Sequence, residues 1–220
     1  MTGAETKSQA KTDIRAKRLH LFATPLAACI LPQSDQLKAP LKAAVLAAHR
    51  AANAPRGPQD PNNEAAGQSW QGAFADIDPA DKGLAALVEA ARTLVEAMSA
   101  APNQTWGLSW RGEILAPGQG SEVFSLAPAM WCAHYLIDAG GGDGGALELQ
   151  DPRGAAPVMY APGLTFAAEG AESLGVSQSI GLKEGALAVF PAWMLQSSRL
   201  HQGQSERLSI TLRFQPSITE

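Results

Sequence analysis

Apolar positions along this chain change their period near residue 102. From about residue 34 to 101 they return every three or four positions, the spacing of a helix with one buried face. Leu37, Leu41, Val45 and Leu46 form a first stripe, with Ser34 or Asp35 placed to cap it. Pro40 lies inside that stripe. Its missing N–H moves the expected start to about Ala39, which puts the proline in the first turn. Ala54 to Asn63 is rich in Pro, Gly, Asn and Asp and reads as a loop. A second stripe of Leu84, Leu87, Val88, Ala91, Leu94, Val95 and Met98 follows, with Asp78 as the expected cap and Pro79 at the first helical position. It is expected to face a sheet.

From about residue 103 to 215 the texture is that of short strands between glycine-bearing turns. Strands are predicted at Thr105–Trp110, Glu113–Leu115, Glu122–Leu126, Met130–Asp138, Ala146–Leu149, Val158–Tyr160, Thr165–Ala167, Gln178–Leu182, Ala186–Phe190 and Arg207–Phe214. Turns are predicted at Pro117-Gly118, Gly140–Gly145, Pro162-Gly163 and Glu184-Gly185. Many short strands at this spacing predict an antiparallel barrel or double-sheet jelly roll, with the preceding helices on one face. Before residue 34, apolar runs broken by Pro25 and Pro32 predict an edge strand. No internal repeat is visible.

The last strand alternates cleanly. Leu208, Ile210, Leu212 and Phe214 share one face; Arg207, Ser209, Thr211 and Arg213 share the other. Two readings of the polar face stand open. It faces solvent, or it lines a ligand cavity in which an arginine grips a carboxylate bidentately.

Composition narrows the field. The 220 residues are 45% hydrophobic and 17% charged, enough apolar material for one sizeable domain. The expected division is a flexible basic arm over 1–18 and a single domain over 19–220. The formal net charge of −4 argues against nucleic acid as a partner. No apolar run approaches the roughly 18 residues of a membrane span. Cys29 and Cys132 match no zinc or redox spacing, and Pro25 interrupts the apolar stretch that would serve as a signal peptide. A cytoplasmic setting is expected.

Gly185-Ala186-Leu187-Ala188-Val189-Phe190-Pro191-Ala192-Trp193-Met194-Leu195-Gln196, followed by Glu206-Arg207-Leu208-Ser209-Ile210, resembles the C-terminal motif of a 2-oxoglutarate/Fe(II)-dependent oxygenase family. That pattern runs Gly-x-Leu-x-x-Phe-Pro-Ser-Trp-Leu-x-His, then an Arg-x-Ser-Ile strand. Leu21-Phe22-Ala23-Thr24-Pro25 looks like the family's N-terminal Phe-x-Thr-Pro strand. The stretch from Asn62-Asn63 to Gly67-Gln68-Ser69-Trp70-Gln71 looks, imperfectly, like its Asn-x-x-Gly-Trp loop. Trp131 to Tyr135 and Gly145 to Arg153 are similar to its central tyrosine strand and following hairpin. The resemblance covers nearly the whole chain from Leu21. It implies a mostly β fold with flanking α-helices: a double-stranded β-helix, or cupin-like jelly roll, with two or more helices on one face.

The resemblance also implies iron held by two histidines and a carboxylate, with open positions for co-substrate and oxygen. Counted from Trp131 and Tyr135, the first ligand pair falls at Val123 and Ser125, or at Phe124 and Leu126 if the gap differs by one; the nearest carboxylate is Glu122. The distal histidine corresponds to Gln196, eleven residues before Arg207. All three metal positions depart from the family. Arg207, matching the family's co-substrate carboxylate binder, and Ser209 remain as candidate cofactor-binding residues, with 2-oxoglutarate or another small carboxylate as ligand.

His20, His49, His134 and His201 have no metal-ligand spacing and read as ordinary surface or core residues, although a rewired site using His134, His201 and a carboxylate is conceivable. Asp138, Asp143, Glu148 and Asp151 could hold a hard cation, but solvated turn acids are the commoner case. The glycine run after Ala139 opens no helix and reads as a hairpin loop. Three expectations therefore compete: an oxygenase-like barrel without standard iron catalysis that binds a small molecule through Arg207, an active dioxygenase with non-standard ligands, and a structural or partner-binding module. Homodimerisation through a sheet edge is a further expectation.

Overall fold

The computed structural model describes residues 24–53, 69–78, 80–100, 104–142, 145–150 and 177–217. The expected strands at Val158–Tyr160 and Thr165–Ala167, the arm over 1–18, His20, Asp143 and Asp151 lie outside them.

Among the described residues two helices and ten strands are formed. Helix α1 spans Ser34–Ala52 and α2 spans Lys82–Met98. The first sheet holds β1 (Ala27–Ile30), β2 (Trp70–Gln71), β3 (Ala75–Asp76), β4 (Trp106–Leu115), β5 (Trp131–Asp138), β8 (Ala186–Pro191) and β10 (Arg207–Pro216). Its order is β1-β8-β5-β10-β4-β2, with β3 also on β4. The second holds β6 (Leu147–Gln150), β7 (Ser177–Ile180) and β9 (Leu195–Ser198), in the order β7-β6-β9. All pairings are antiparallel. From β4 onward the chain passes repeatedly between the two sheets. An isolated bridge, Phe124 to Gln196, adds a rudimentary fourth strand to the second sheet.

The edge strand expected near the N-terminus is β1, at the end of the larger sheet. Several boundaries differ from expectation. Thr105–Trp110 and Glu113–Leu115 are one continuous strand, because Gly112 interrupts the sequence pattern without interrupting the ladder to β10. Glu122–Leu126 is no strand beyond the one bridge. Strand β9 forms where none was expected, since Leu195-Gln196-Ser197-Ser198 carries little strand propensity.

The helices also begin elsewhere. In α1 the N-cap is Gln33, with no side-chain bond, so Pro40 lies inside the helix. Turn bonds from Ser34 to Leu31 and from Leu37 to Gln33 start it early, and the buried stripe Leu37, Leu41 and Val45 outweighs the lost proline N–H. In α2 the cap is Asp81, not Asp78; its carboxylate accepts from the Leu84 N–H at 2.9 Å. Asp78 instead accepts from Ala80 N at 2.8 Å in the preceding turn.

Side-chain alternation divides the core. Leu208, Ile210, Leu212 and Phe214 of β10 join Ala133 and Tyr135 of β5, Leu187 and Val189 of β8, and the buried stripes of α1 and α2. The fit is close where Val45 meets Gly112: a Cβ there would stand 2.9 Å from a Val45 methyl. The opposite faces of the same strands look across to the second sheet, where Cys132, Ala188, Phe190, Leu147 and Leu149 pack together. The polar face of β10 therefore points into the space between the sheets and not to solvent.

Candidate functional site in the barrel interior

Strand register sets which polar residues meet inside. Opposite Ser209, Thr211 and Arg213 of β10 stand Glu113, Arg111 and Ser109 of β4. On the other flank His134 of β5 is opposite Thr211, and Cys132 is opposite Arg213. Three guanidiniums, those of Arg207, Arg111 and Arg213, thus share one face with the Glu113 carboxylate.

Arg207 is fully buried, its relative exposure 0%. One terminal nitrogen donates to Ser198 Oγ at 3.1 Å and toward Glu113 Oε1 at 3.4 Å; the other donates to His134 Nε2 at 3.1 Å. A guanidinium can only donate, so His134 Nε2 accepts, and Nδ1–H is left to donate to Thr211 Oγ1 at 3.2 Å. Burial, then the charges of Arg207 and Arg111, hold the His134 pKa well below the usual histidine value, consistent with this neutral tautomer. The Glu113 bond is long for a charge-assisted pair. Two polar atoms on the inner face of β10 have no hydrogen-bond partner: Arg207 Nε and Ser209 Oγ.

Arg111 is stacked between two rings, its guanidinium carbon 4.9 Å from the Phe74 centroid and 4.4 Å from that of Phe124. Arg213 lies 4.5 Å from the Phe74 ring and donates to Ser109 Oγ at 3.1 Å. Burial lowers the Arg111 pKa and Arg213 adds to the effect, against the opposing pull of Glu113 and Cys132. Arg111 Nε and Nη2 are buried without partners.

The residues at the family-aligned metal positions do not fit Fe(II). Val123 and Ser125 are exposed, and Phe124 and Leu126 are the pair turned inward. Glu122 is exposed. Gln196 is buried and its amide is engaged with the Cys132 thiol at 3.6 and 3.7 Å. Burial pushes that thiol up to about 12, so it stays protonated and is no thiolate donor. The inward residues at these positions therefore offer an aromatic ring, an aliphatic chain and an amide, where iron needs imidazole and carboxylate.

The other histidines lie apart from this cluster. His201 is buried in the loop before β10; its Nδ1 accepts from Gly203 N at 3.3 Å, so Nε2–H donates to Ser205 O at 2.6 Å. His49 is half-buried on α1 with its ring 5.1 Å from Trp70. Asp138 bonds Lys42 at 2.9 Å and Glu148 bonds Arg199 at 3.1 Å, each with its own counter-charge. Among the described residues no three His, Cys, Asp or Glu side chains are grouped to hold a metal. Two surface clefts, of about 420 and 600 Å³, lie beside α2 and beside the glycine loop, and neither is lined by Arg207 or Arg111.

Sequence reasoning put Arg207, Ser209, Thr211 and Arg213 on one face of a strand, as they are, but did not include Arg111, Glu113, Ser198 and Phe74 among the residues that meet them. The signal for two of them was present: Ser109, Arg111 and Glu113 alternate as the β10 residues do, and splitting β4 at Gly112 hid it.

No protein-family profile matches the chain, and no curated protein sequence matches it. Solved structures do. A prolyl-4-hydroxylase from Pseudomonas putida superposes with a TM-score of 0.54 at 16% identity, over 90% of this chain and 96% of the other. HygX from Streptomyces hygroscopicus, solved with nickel and 2-oxoglutarate bound, gives 0.54 at 12% identity over 89% and 84%. AviO1 from Streptomyces viridochromogenes gives 0.53 at 13% identity over 90% and 92%. With its two sheets, its chain path between them and its helical cover, the protein has the double-stranded β-helix fold of the 2-oxoglutarate/Fe(II) oxygenases.

Proposed function

We propose that this oxygenase-like barrel binds a small carboxylate in its interior through Arg207 and Ser209, without standard iron catalysis. The observation that carries this reading is the pair of orphaned buried atoms on β10, Arg207 Nε and Ser209 Oγ. A buried donor without a partner costs about 1–3 kcal/mol, and a bound anion removes that cost. The cationic excess of the inner face favours the same class of ligand. The ligand-position residues Phe124, Leu126 and Gln196 support the absence of iron chemistry.

Calorimetry with 2-oxoglutarate and with succinate, each with and without Fe(II), tests the proposal, together with an assay for succinate release. Carboxylate binding that is indifferent to Fe(II), with no succinate formed, is expected. Tight iron binding with turnover of 2-oxoglutarate would overturn it and restore the dioxygenase reading.

A second reading, a partner-binding module, is favoured by one observation. Val123, Met130, Trp193 and Leu195 are exposed in and beside the segments joined at the Phe124–Gln196 bridge. A dimer in light scattering with no carboxylate binding would favour it.

A further inference from the structure

Arg111 is the one inward guanidinium on the described strands with no hydrogen-bonded partner for either Nε or Nη2. Those two N–H groups lie along a single edge of the guanidinium and point the same way. That edge is the one a carboxylate accepts with both oxygens in parallel. On Arg207 only Nε is without a partner, since its terminal nitrogens already serve Glu113, Ser198 and His134.

Both N–H groups are buried in this state, so a side chain beside them must move to admit a ligand, and two large ones, Phe74 and Phe124, lie against the guanidinium. Phe74 is shared by Arg111 and Arg213, and its segment is tied to β4 through β2 and β3 on either side. Phe124 is held differently. Its backbone is pinned by two bonds to Gln196, of 2.9 and 2.8 Å, in a segment that otherwise forms no strand. Its ring can turn about the side-chain torsions without breaking any ladder. The surroundings also select the ligand's body. Phe74 and Phe124 pack on the apolar cluster of Leu126, Phe190 and Met194, while Glu113, one inward position along β4, opposes a second negative charge.

We propose that the Nε/Nη2 edge of Arg111 is the barrel's carboxylate seat, that Phe124 is the ring that turns aside to admit the ligand, and that the ligand is a monocarboxylate with an apolar body. The inference rests on the carboxylate-binding reading above and moves its anchor from Arg207 to Arg111.

The test is calorimetric titration of the full chain with phenylacetate and with 2-oxoglutarate, repeated for Arg111→Lys, Arg207→Lys and Phe124→Ala, with stopped-flow association rates. Phenylacetate is expected to bind at least tenfold more tightly than 2-oxoglutarate. Arg111→Lys, which keeps the charge but loses the edge, is expected to weaken it at least tenfold. Phe124→Ala is expected to speed association. Should Arg111→Lys fail to fold, the Arg Nε–H resonances give the same answer, with Arg207→Lys identifying the Arg207 signal: one other than that of Arg207 must shift on titration of the unmodified chain with phenylacetate. If Arg207→Lys abolishes binding while Arg111→Lys or the Nε–H spectrum is unaffected, the Arg111 seat is wrong and the carboxylate-binding reading survives. Tighter binding of 2-oxoglutarate than of phenylacetate overturns the assigned ligand class. If neither the unmodified chain nor Phe124→Ala binds any carboxylate, both proposals fall.

Discussion

At the residue scale the interior is a problem in buried charge. Arg207 and Glu113 have side-chain exposures of 0% and 6%, so each is the main compensation for the other's desolvation. Glu113→Gln keeps the shape and removes the charge. It is expected to destabilise the fold by about 3 kcal/mol in urea unfolding, because the guanidinium is left buried and uncompensated. His134 supplies a second measurable signature. Its folded pKa lies well below the unfolded value near 6.5, so below that pH the unfolded chain binds a proton that the native state refuses. Stability from this group is therefore full above about pH 6.5 and falls, by up to about 1.4 kcal/mol per pH unit, as the solution is acidified. His134→Gln should flatten that acid limb of a stability-versus-pH curve; an unchanged slope would mean that other groups set it.

At the element scale, β10 was legible because its two faces differ in every second residue and both faces are buried against something. Ile210 is central and fully buried, and Ile210→Ala should cost about 2–5 kcal/mol by chemical denaturation. The metal-position segment was less legible. Glu122 to Leu126 has the β-branched and aromatic residues of a strand, yet only Phe124 is paired, through its two bonds to Gln196. Strand β9 was invisible because its partners, and not its own side chains, make it a strand: β6 on one side and the Phe124 bridge on the other. Which of the two registers turns inward could not be counted from Trp131 alone, since the intervening turn sets the phase. The turn at Glu184-Gly185 was read correctly, and Gly185 has φ of 78° with Ser34 packed against the space a Cβ would fill. Gly185→Ala should lower the melting temperature by several degrees, a loss of about 1–3 kcal/mol.

At the scale of the whole molecule, the helices and strands share one cover-and-sandwich arrangement, and its protection should be graded. Strands β5 and β10 are each hydrogen-bonded on both sides and buried on both faces. Native-state hydrogen exchange should find their amides the slowest, with β1 at the sheet edge and the short β2 and β3 among the fastest. Early exchange of β10 would contradict the sheet order. The fold class was readable from the change of period near residue 102 and the C-terminal motif. The barrel's chemistry was not, because it depends on which side chains meet across sheets, and no local pattern encodes that.

The placement of β10 has a consequence for how the protein is made. It follows every other described strand in sequence but lies between β4 and β5 in the larger sheet. During synthesis those two strands emerge first and wait, each with an open edge, for a partner still to be translated. The half-built sheet is a template for pairing with other chains until that partner arrives. A ribosome stalled just before Arg207 would present both edges together, which makes the interval before Arg207–Pro216 emerges the point at which these strands most need a chaperone.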